Sequence, residues 1–254
     1  MKITPKIPIE NDITNTNFLT EFFKLVISLV LLVIIFYLIL TIVSNITIKF
    51  IPLSWEIDLF QNMFLSSIEN EINDKNTRRL DSIFNKIKAF IYYKRTLGNV
   101  NIKVFAVKSK KINAAALPGG IIIVSDKLID LCGSEDELIF IIGHELGHFY
   151  HRNHLKVMGK TIIIGIINLV FNISNINTYI INHVFNGLNL SYSRKEEIKA
   201  DTYGGLLLKE MKGNVKSGIL VFNKLKRIYN LGNFVYLFST HPNFKMRIKH
   251  LESL

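Results

Sequence analysis

Three side chains able to do chemistry together stand in one short stretch, Gly143-His144-Glu145-Leu146-Gly147-His148. On a helix, His144 and His148 lie four residues apart and share one face, so their imidazoles converge on one point. Neutral imidazole is a standard zinc ligand, and two of them converging are the beginning of a zinc site. Glu145 projects about 100° round the helix from His144. There its carboxylate can hold a water at the metal and act as general base.

A catalytic zinc ion takes three protein ligands and keeps one position open. Two residues compete to be the third ligand. His154 completes the spacing His-Glu-x-x-His-x-x-x-x-x-His, but that arrangement needs a glycine after the second His to turn the chain sharply. His151 stands there instead. On a continuing helix His154 falls about 120° from His148 and more than a turn above it, so His151 and His154 read as solvated helix residues. Glu197 reads better: a carboxylate from a second helix completes a two-His, one-Glu set. Asp201, one turn on and on the same face, is then placed to accept the second N–H of a ligating His and fix its orientation.

The elements that must position these groups can be read in outline. Ser134 with Glu137 predicts a capping box, and Leu138, Ile139, Ile141 and Ile142 carry the helix into the motif at helical spacing. Ser193 with Glu196 opens a second helix through about Lys212, stopped by Gly213. Ala200 and Gly204-Gly205 suit close packing beside Asp201. Two amphipathic helices are expected near 56–73 and 77–95, the second with Leu80, Ile83, Phe84, Ile87 and Ile91 on one face. Asn101–Val107 alternates as a strand does. Asn113 to Val124 reads as strand, turn, strand, with Pro118-Gly119-Gly120 as the turn. Ile121, Ile122, Ile123 and Val124 are expected to form either a buried core strand or an edge strand beside the metal, to which an extended peptide adds by backbone hydrogen bonds. Further helices are expected near 215–230 and from Pro242 onward.

The chain has 254 residues, 49% of them apolar, with 31 Lys and Arg against 20 Asp and Glu. Its basic residues are scattered, with no long basic arm or nucleic-acid motif. A net charge of +11 reads either as a solvated surface or as attraction to an anionic membrane face. Cys132 is the single cysteine, so no intrachain disulfide exists. Residues 1–24 form a polar tail. Residues 25–48 carry no charge and are long enough for a transmembrane anchor rather than the shorter apolar core of a signal peptide. Lys2, Lys6 and Lys24 precede this run and only Lys49 follows closely, which orients the N-terminus to the cytoplasm and the domain over 49–254 to the outer side. A second uncharged region, Thr161 to Ser193, has a dense apolar part about half a span long and is then interrupted by asparagines; it reads as a buried or interfacial hairpin, with a second membrane insertion as the alternative.

Four motifs occur in family order over roughly residues 55–254: Asn113–Val124, His144–His148, Ser193-Arg194-x-x-Glu197-x-x-Ala200-Asp201, and Thr240-His241-Pro242 with Arg247-Ile248. Together they resemble the HtpX-like zinc metallopeptidases, relatives of the CAAX prenyl endopeptidases and the mitochondrial Oma-type proteases. The resemblance implies an α+β, mostly helical, gluzincin-type domain with a small sheet, here preceded by one transmembrane helix where HtpX itself has several. It implies one zinc ion per chain on His144, His148 and Glu197, Glu145 as base, and polypeptide substrates in membrane or envelope protein quality control. Within it, His241 would donate to the oxyanion or occupy the fourth zinc position; read from the residue alone, it is a helix N-terminal histidine with a structural hydrogen bond. The other class of function open to this sequence is a catalytically silent, membrane-anchored scaffold or chaperone, which would have no need of Glu145.

Overall fold

The computed structural model describes residues 17–159, 192–230 and 244–254. His241 and nearly all of the uncharged region expected to form a hairpin lie outside the described residues. The chain divides into two compact units, residues 1–42 and 43–254.

Helix α1 (Phe18–Thr47) carries the apolar run. It starts ahead of the uncharged stretch because the Asn17 side chain accepts the Leu19 N–H at 3.3 Å and Glu21 pairs with Lys24 at 2.9 Å. With a short 3₁₀ turn it makes an apolar helical span, Phe18–Phe50, whose most apolar 18-residue window has mean hydropathy 3.2 and no buried residue. Among the described residues this is the one helix long and apolar enough to cross a membrane.

In the second unit, α2 (Leu53–Ile68) begins after Pro52, earlier than expected. It is followed by α3 (Asp74–Ala89), capped by the Asn73 side chain, and by the short α4 (Ile91–Thr96). Phe90, extended at φ −80° and ψ 151°, separates what periodicity alone joins into one helix. Leu80, Ile83, Phe84 and Ile87 form the buried face of α3, as their spacing predicts.

Strands β1 (Lys103–Val107), β2 (Ala114–Leu117) and β3 (Ile121–Ser125) make one sheet in the order β1-β3-β2. β3 pairs parallel with β1, Val104 opposite Ile122, and antiparallel with β2, Ala116 opposite Ile122. Ile121, Ile122, Ile123 and Val124 are therefore the centre of the sheet and not its edge, and all four are buried. Their backbone groups are already paired on both sides, so the edge reading of this strand is corrected. β2 pairs with β3 alone among the described residues.

The Pro118-Gly119-Gly120 turn needs its glycines. Gly119 and Gly120 have φ of 86° and 71°, and a Cβ on Gly119 would stand 2.5 Å from the Gln61 backbone N of α2. Helix α2 thus lies directly on this turn. After α5 (Asp126–Leu131) comes α6 (Glu135–Tyr150), then α7 (Arg194–Lys212), α8 (Lys216–Asn230) and α9 (Phe244–Glu252). The Ser193–Glu196 capping box is complete and Gly213 closes α7 in the left-handed conformation, φ 75°. At α6 the box is only half made. Ser134 accepts the Glu137 N–H, while the Glu137 carboxylate takes the Gly133 N–H and pairs with Lys224 of α8 at 2.6 Å.

Candidate metal centre

The site is built where α6 lies against α7, and small residues let the two backbones meet. A Cβ on Gly204 would sit 2.8 Å from the His144 backbone N, and one on Gly147 2.8 Å from the Ala200 Cα. Leu138, Ile139, Ile142 and Leu146 sink the rest of α6 into the core. Hydrophobic burial, about 25 cal/mol per Å² of apolar surface, therefore holds a helix whose polar residues would otherwise resist leaving water.

The two helices bring together the residues expected from spacing. His144, His148 and Glu197 each offer one ligand atom, and these atoms lie within 4.8 Å of one another. The two imidazole Nε2 atoms are 3.1 Å apart, and Glu197 Oε1 is 3.3 Å from His148 Nε2. His144, His148 and Glu197 are buried. Asp201 Oδ1 lies 2.9 Å from His144 Nδ1, which holds the ring with Nε2 turned into the cluster. Glu145 is buried on the same helix. It lines a small apolar niche with His144, Ala114, Phe140, Phe222 and Arg247.

Three residues join the site that spacing alone assigned no part in it. Arg247 of α9 is buried and grips Asp201 with two charge-assisted hydrogen bonds, Nε to Oδ2 at 2.7 Å and Nη2 to Oδ1 at 2.6 Å. Its Nη1 is 2.8 Å from Glu197 Oε2, and its guanidinium lies over the Phe222 ring at 4.3 Å. The Asn153 carboxamide is 3.1 Å from His148 Nδ1. Tyr192 stacks on the His148 ring at 3.9 Å.

Burial by itself would raise the Asp201 pKa, but the Arg247 charge and hydrogen bonds, with His144, hold it below the ordinary carboxylate range. Burial works against the charged form of Arg247, and Asp201 and then Glu197 outweigh it. Burial, then the charges of Glu145, Glu197 and Glu196, push the Tyr192 phenol well above its usual value. Three buried carboxylates, Glu145, Glu197 and Asp201, face one buried guanidinium. With all three ionised, two negative charges remain, which a divalent cation held by the two imidazoles and Glu197 would neutralise. Borderline nitrogen and oxygen donors in this number fit zinc.

His151 and His154 require a correction. The helix does not continue past the motif. Arg152 adopts φ 59°, the chain turns, and a new helical stretch covers residues 153–159. His151 is half-buried and His154 is fully buried. His154 stacks on Phe149 and its Nε2 lies 2.6 Å from Glu56 Oε1 of α2, away from the metal cluster. Glu56 is itself fully buried, accepts the Gly119 N–H at 3.2 Å and pairs with Arg152 at 3.3 Å. Burial would raise its pKa, but His154, Arg152 and the Gly119 N–H together hold it below the ordinary value.

A helix bearing His-Glu-x-x-His, packed on a second helix that supplies Glu and Asp, beside a three-stranded sheet, defines a metallopeptidase domain of the two-His, one-Glu kind. Comparison with known families agrees: the model of peptidase family M48 matches residues 74–254, and the chain belongs to that family. It is similar to the mitochondrial metalloendopeptidase OMA1 of Arabidopsis thaliana, 32% identical over 162 residues, which are 61% of this chain and 32% of the relative. It is also similar to that of Saccharomyces cerevisiae, 24% identical over 186 residues, 68% of this chain and 54% of the relative. The chain thus spans between about a third and about half of the length of the curated relatives it matches.

Proposed function

We propose that this protein is a membrane-anchored zinc endopeptidase acting on polypeptides. The observation that carries this reading is the convergence of His144, His148 and Glu197 within 4.8 Å on two abutting helices, with Glu145 beside them. His144 Nε2, His148 Nε2 and a Glu197 oxygen would hold the ion. When bound, zinc supplies a Lewis acid that polarises the scissile carbonyl and acidifies water. Glu145 takes the proton of the attacking water on its carboxylate and later returns it to the leaving amine. Asp201 keeps the Nδ1 proton of His144, so that Nε2 presents its lone pair. Arg247 holds both Asp201 and Glu197 in place.

The peptide would add to β2, whose outer edge has no partner strand among the described residues and whose first residue, Ala114, lines the niche beside Glu145. The Asn113 carboxamide, buried at the head of β2 with no hydrogen-bond partner among the described residues, offers a donor and an acceptor to a peptide backbone. A role in membrane protein quality control fits the apolar helix and the mitochondrial relatives. Three lysines ahead of the span against one close behind favour a catalytic domain on the outer side. Digestion of that domain by protease added to intact spheroplasts is the matching result; protection until lysis reverses the orientation.

Glu145→Gln tests the reading. The variant should keep its zinc, since Glu145 is no ligand, and lose nearly all cleavage of casein or a labelled peptide. Cleavage at the wild-type rate by metal-loaded Glu145→Gln would refute the mechanism.

A further inference from the structure

Helix α2 has two unlike sides. Glu56, Ile57, Gln61 and Phe64 are buried against the domain. On the other side Trp55, Leu59 and Met63 are 64%, 68% and 40% exposed, and Phe50, just ahead of the helix, is 77% exposed. At 100° per residue the three helical side chains fall within 80° of one another. Asn62 and Ser66 fill the rest of this stripe, so it carries no charge; Asp58 is exposed about 60° to its flank. A soluble domain rarely leaves a tryptophan and two long aliphatic side chains in line on its surface without a use for them.

We propose that this face of α2 docks on the phospholipid bilayer, so that α2 lies in the headgroup region as an interfacial helix. The chain itself indicates the occupant. The uncharged run ends at Ile48, and Lys49 marks its exit from the hydrocarbon. Trp55 follows Lys49 by six residues, at most about 20 Å of extended chain. The headgroup layer on each side of a bilayer is on the order of 5–8 Å deep. Trp55 is thus tethered within reach of that layer. Its ring, apolar with one N–H, is the side chain most at home there. The Lys49 charge adjoins Phe50, the pairing that anchors chains at an anionic surface. The buried side then gives docking a consequence. Gln61 donates to the carbonyls of Gly119 at 2.9 Å and Asn101 at 3.1 Å, and Glu56 binds the Gly119 N–H and His154. A docked α2 fixes the β2–β3 turn, and with it the strand beside the metal cluster, at a set height above the lipid. This interface stands or falls apart from the peptidase chemistry.

Trp55 is the only tryptophan, so the fluorescence of the unaltered full chain reports on it alone. The chain is reconstituted in nanodiscs of phosphatidylcholine and phosphatidylglycerol, and insertion of the span is checked by alkaline extraction from matching vesicles. Lipids brominated near the headgroup end of the acyl chain should quench the emission about twofold or more, lipids brominated near the chain terminus much less. Acrylamide should quench weakly. In the chain with both Leu59→Ser and Met63→Ser, brominated-lipid quenching should fall and acrylamide quenching rise. Full access to acrylamide without quenching by brominated lipid, in an inserted chain, overturns the proposal in favour of a solvated helix. Shielding from both quenchers overturns it in favour of cover by another part of this chain or a second copy.

Discussion

The contact between α6 and α7 makes Gly204→Ala the sharpest test of how the site is positioned. The new Cβ would stand 2.8 Å from the His144 backbone N, 3.2 Å from the Gly143 carbonyl carbon and 3.2 Å from the Phe140 oxygen. All three neighbours are backbone, so no side chain can swing away. Restoring an ordinary contact of about 3.4 Å to His144 means opening the helix pair by roughly 0.6 Å, whereas zinc–ligand distances tolerate about 0.2 Å. Overpacking of this kind costs about 1–3 kcal/mol. At about 2–4 °C per kcal/mol for a domain of this size, Tm should fall by about 2–12 °C. Zinc affinity should fall by about tenfold or more, because Glu197 rides on one helix and both histidines on the other. Gly213→Ala is the control. It places a side chain at φ 75° with nothing within 4 Å, so it costs about 1–2 kcal/mol of backbone strain without moving a ligand. Zinc affinity is read by chelator competition and Tm by calorimetry on the same samples. Unchanged zinc affinity in Gly204→Ala, or an equal loss in Gly213→Ala, would refute the claim that this close approach sets the metal geometry.

Glu197→Gln should lose most of its bound metal by mass spectrometry, and Asp201→Asn should act more mildly, about 10–100-fold in affinity or activity. His154→Gln should keep its zinc yet melt earlier, since it removes the partner of buried Glu56; a metal-free, fully stable His154→Gln would place that residue at the ion instead. Arg247→Met leaves Asp201 and Glu197 uncompensated, so it should destabilise the chelator-treated protein by about 3–5 kcal/mol and the zinc-loaded protein less; equal losses in both forms would show that the guanidinium does not share the neutralisation of the carboxylates with the ion. Glu56 titrates below its ordinary 4.5 when folded, so its contribution is present above pH 4.5 and is lost as pH falls through the lower folded value. Glu56→Gln should therefore be less stable at neutral pH and show a shallower acid limb in denaturant titrations carried below pH 4.5; an unaltered pH profile would mean that this carboxylate is not ionised in the fold.

Much of the site was legible because it is local. His144, Glu145 and His148 lie within one and a half turns of a capped helix, and Glu197 with Asp201 within one turn of another, so helical spacing already states which atoms converge. The sheet was not legible in the same way. Ala114–Leu117 and Ile121–Ser125 are buried at every position, so neither shows the alternation that would mark an exposed face. Which of the two is central depends on the parallel partner β1, a choice made by tertiary pairing. His154 was misplaced for a related reason. The chain turns at Arg152, a non-glycine residue in the left-handed region, and the buried partner that makes the turn worthwhile, Glu56, lies 98 positions away. Arg247 was visible as part of a motif, but its two-pronged hold on Asp201 needed the packing of α9 on α7 to be seen.

The buried carboxylate of Glu56 also bears on where this domain can be cut. The family match starts at residue 74, and a truncation designed on it would discard α2 entirely. Such a fragment would lose Phe64 from the smaller core cluster with Ile121 and Ile123. It would also strand His154 and Arg152 without their counter-charge and bare the glycine turn that Gln61 covers. A fragment beginning at residue 49 keeps all of these contacts while shedding the apolar span. A fragment that keeps these contacts thus begins 25 residues ahead of the family match, at 49 and not 74. A protease cutting between Phe50 and Leu53 would release an intact domain, whereas one cutting between α2 and α3 would disable it.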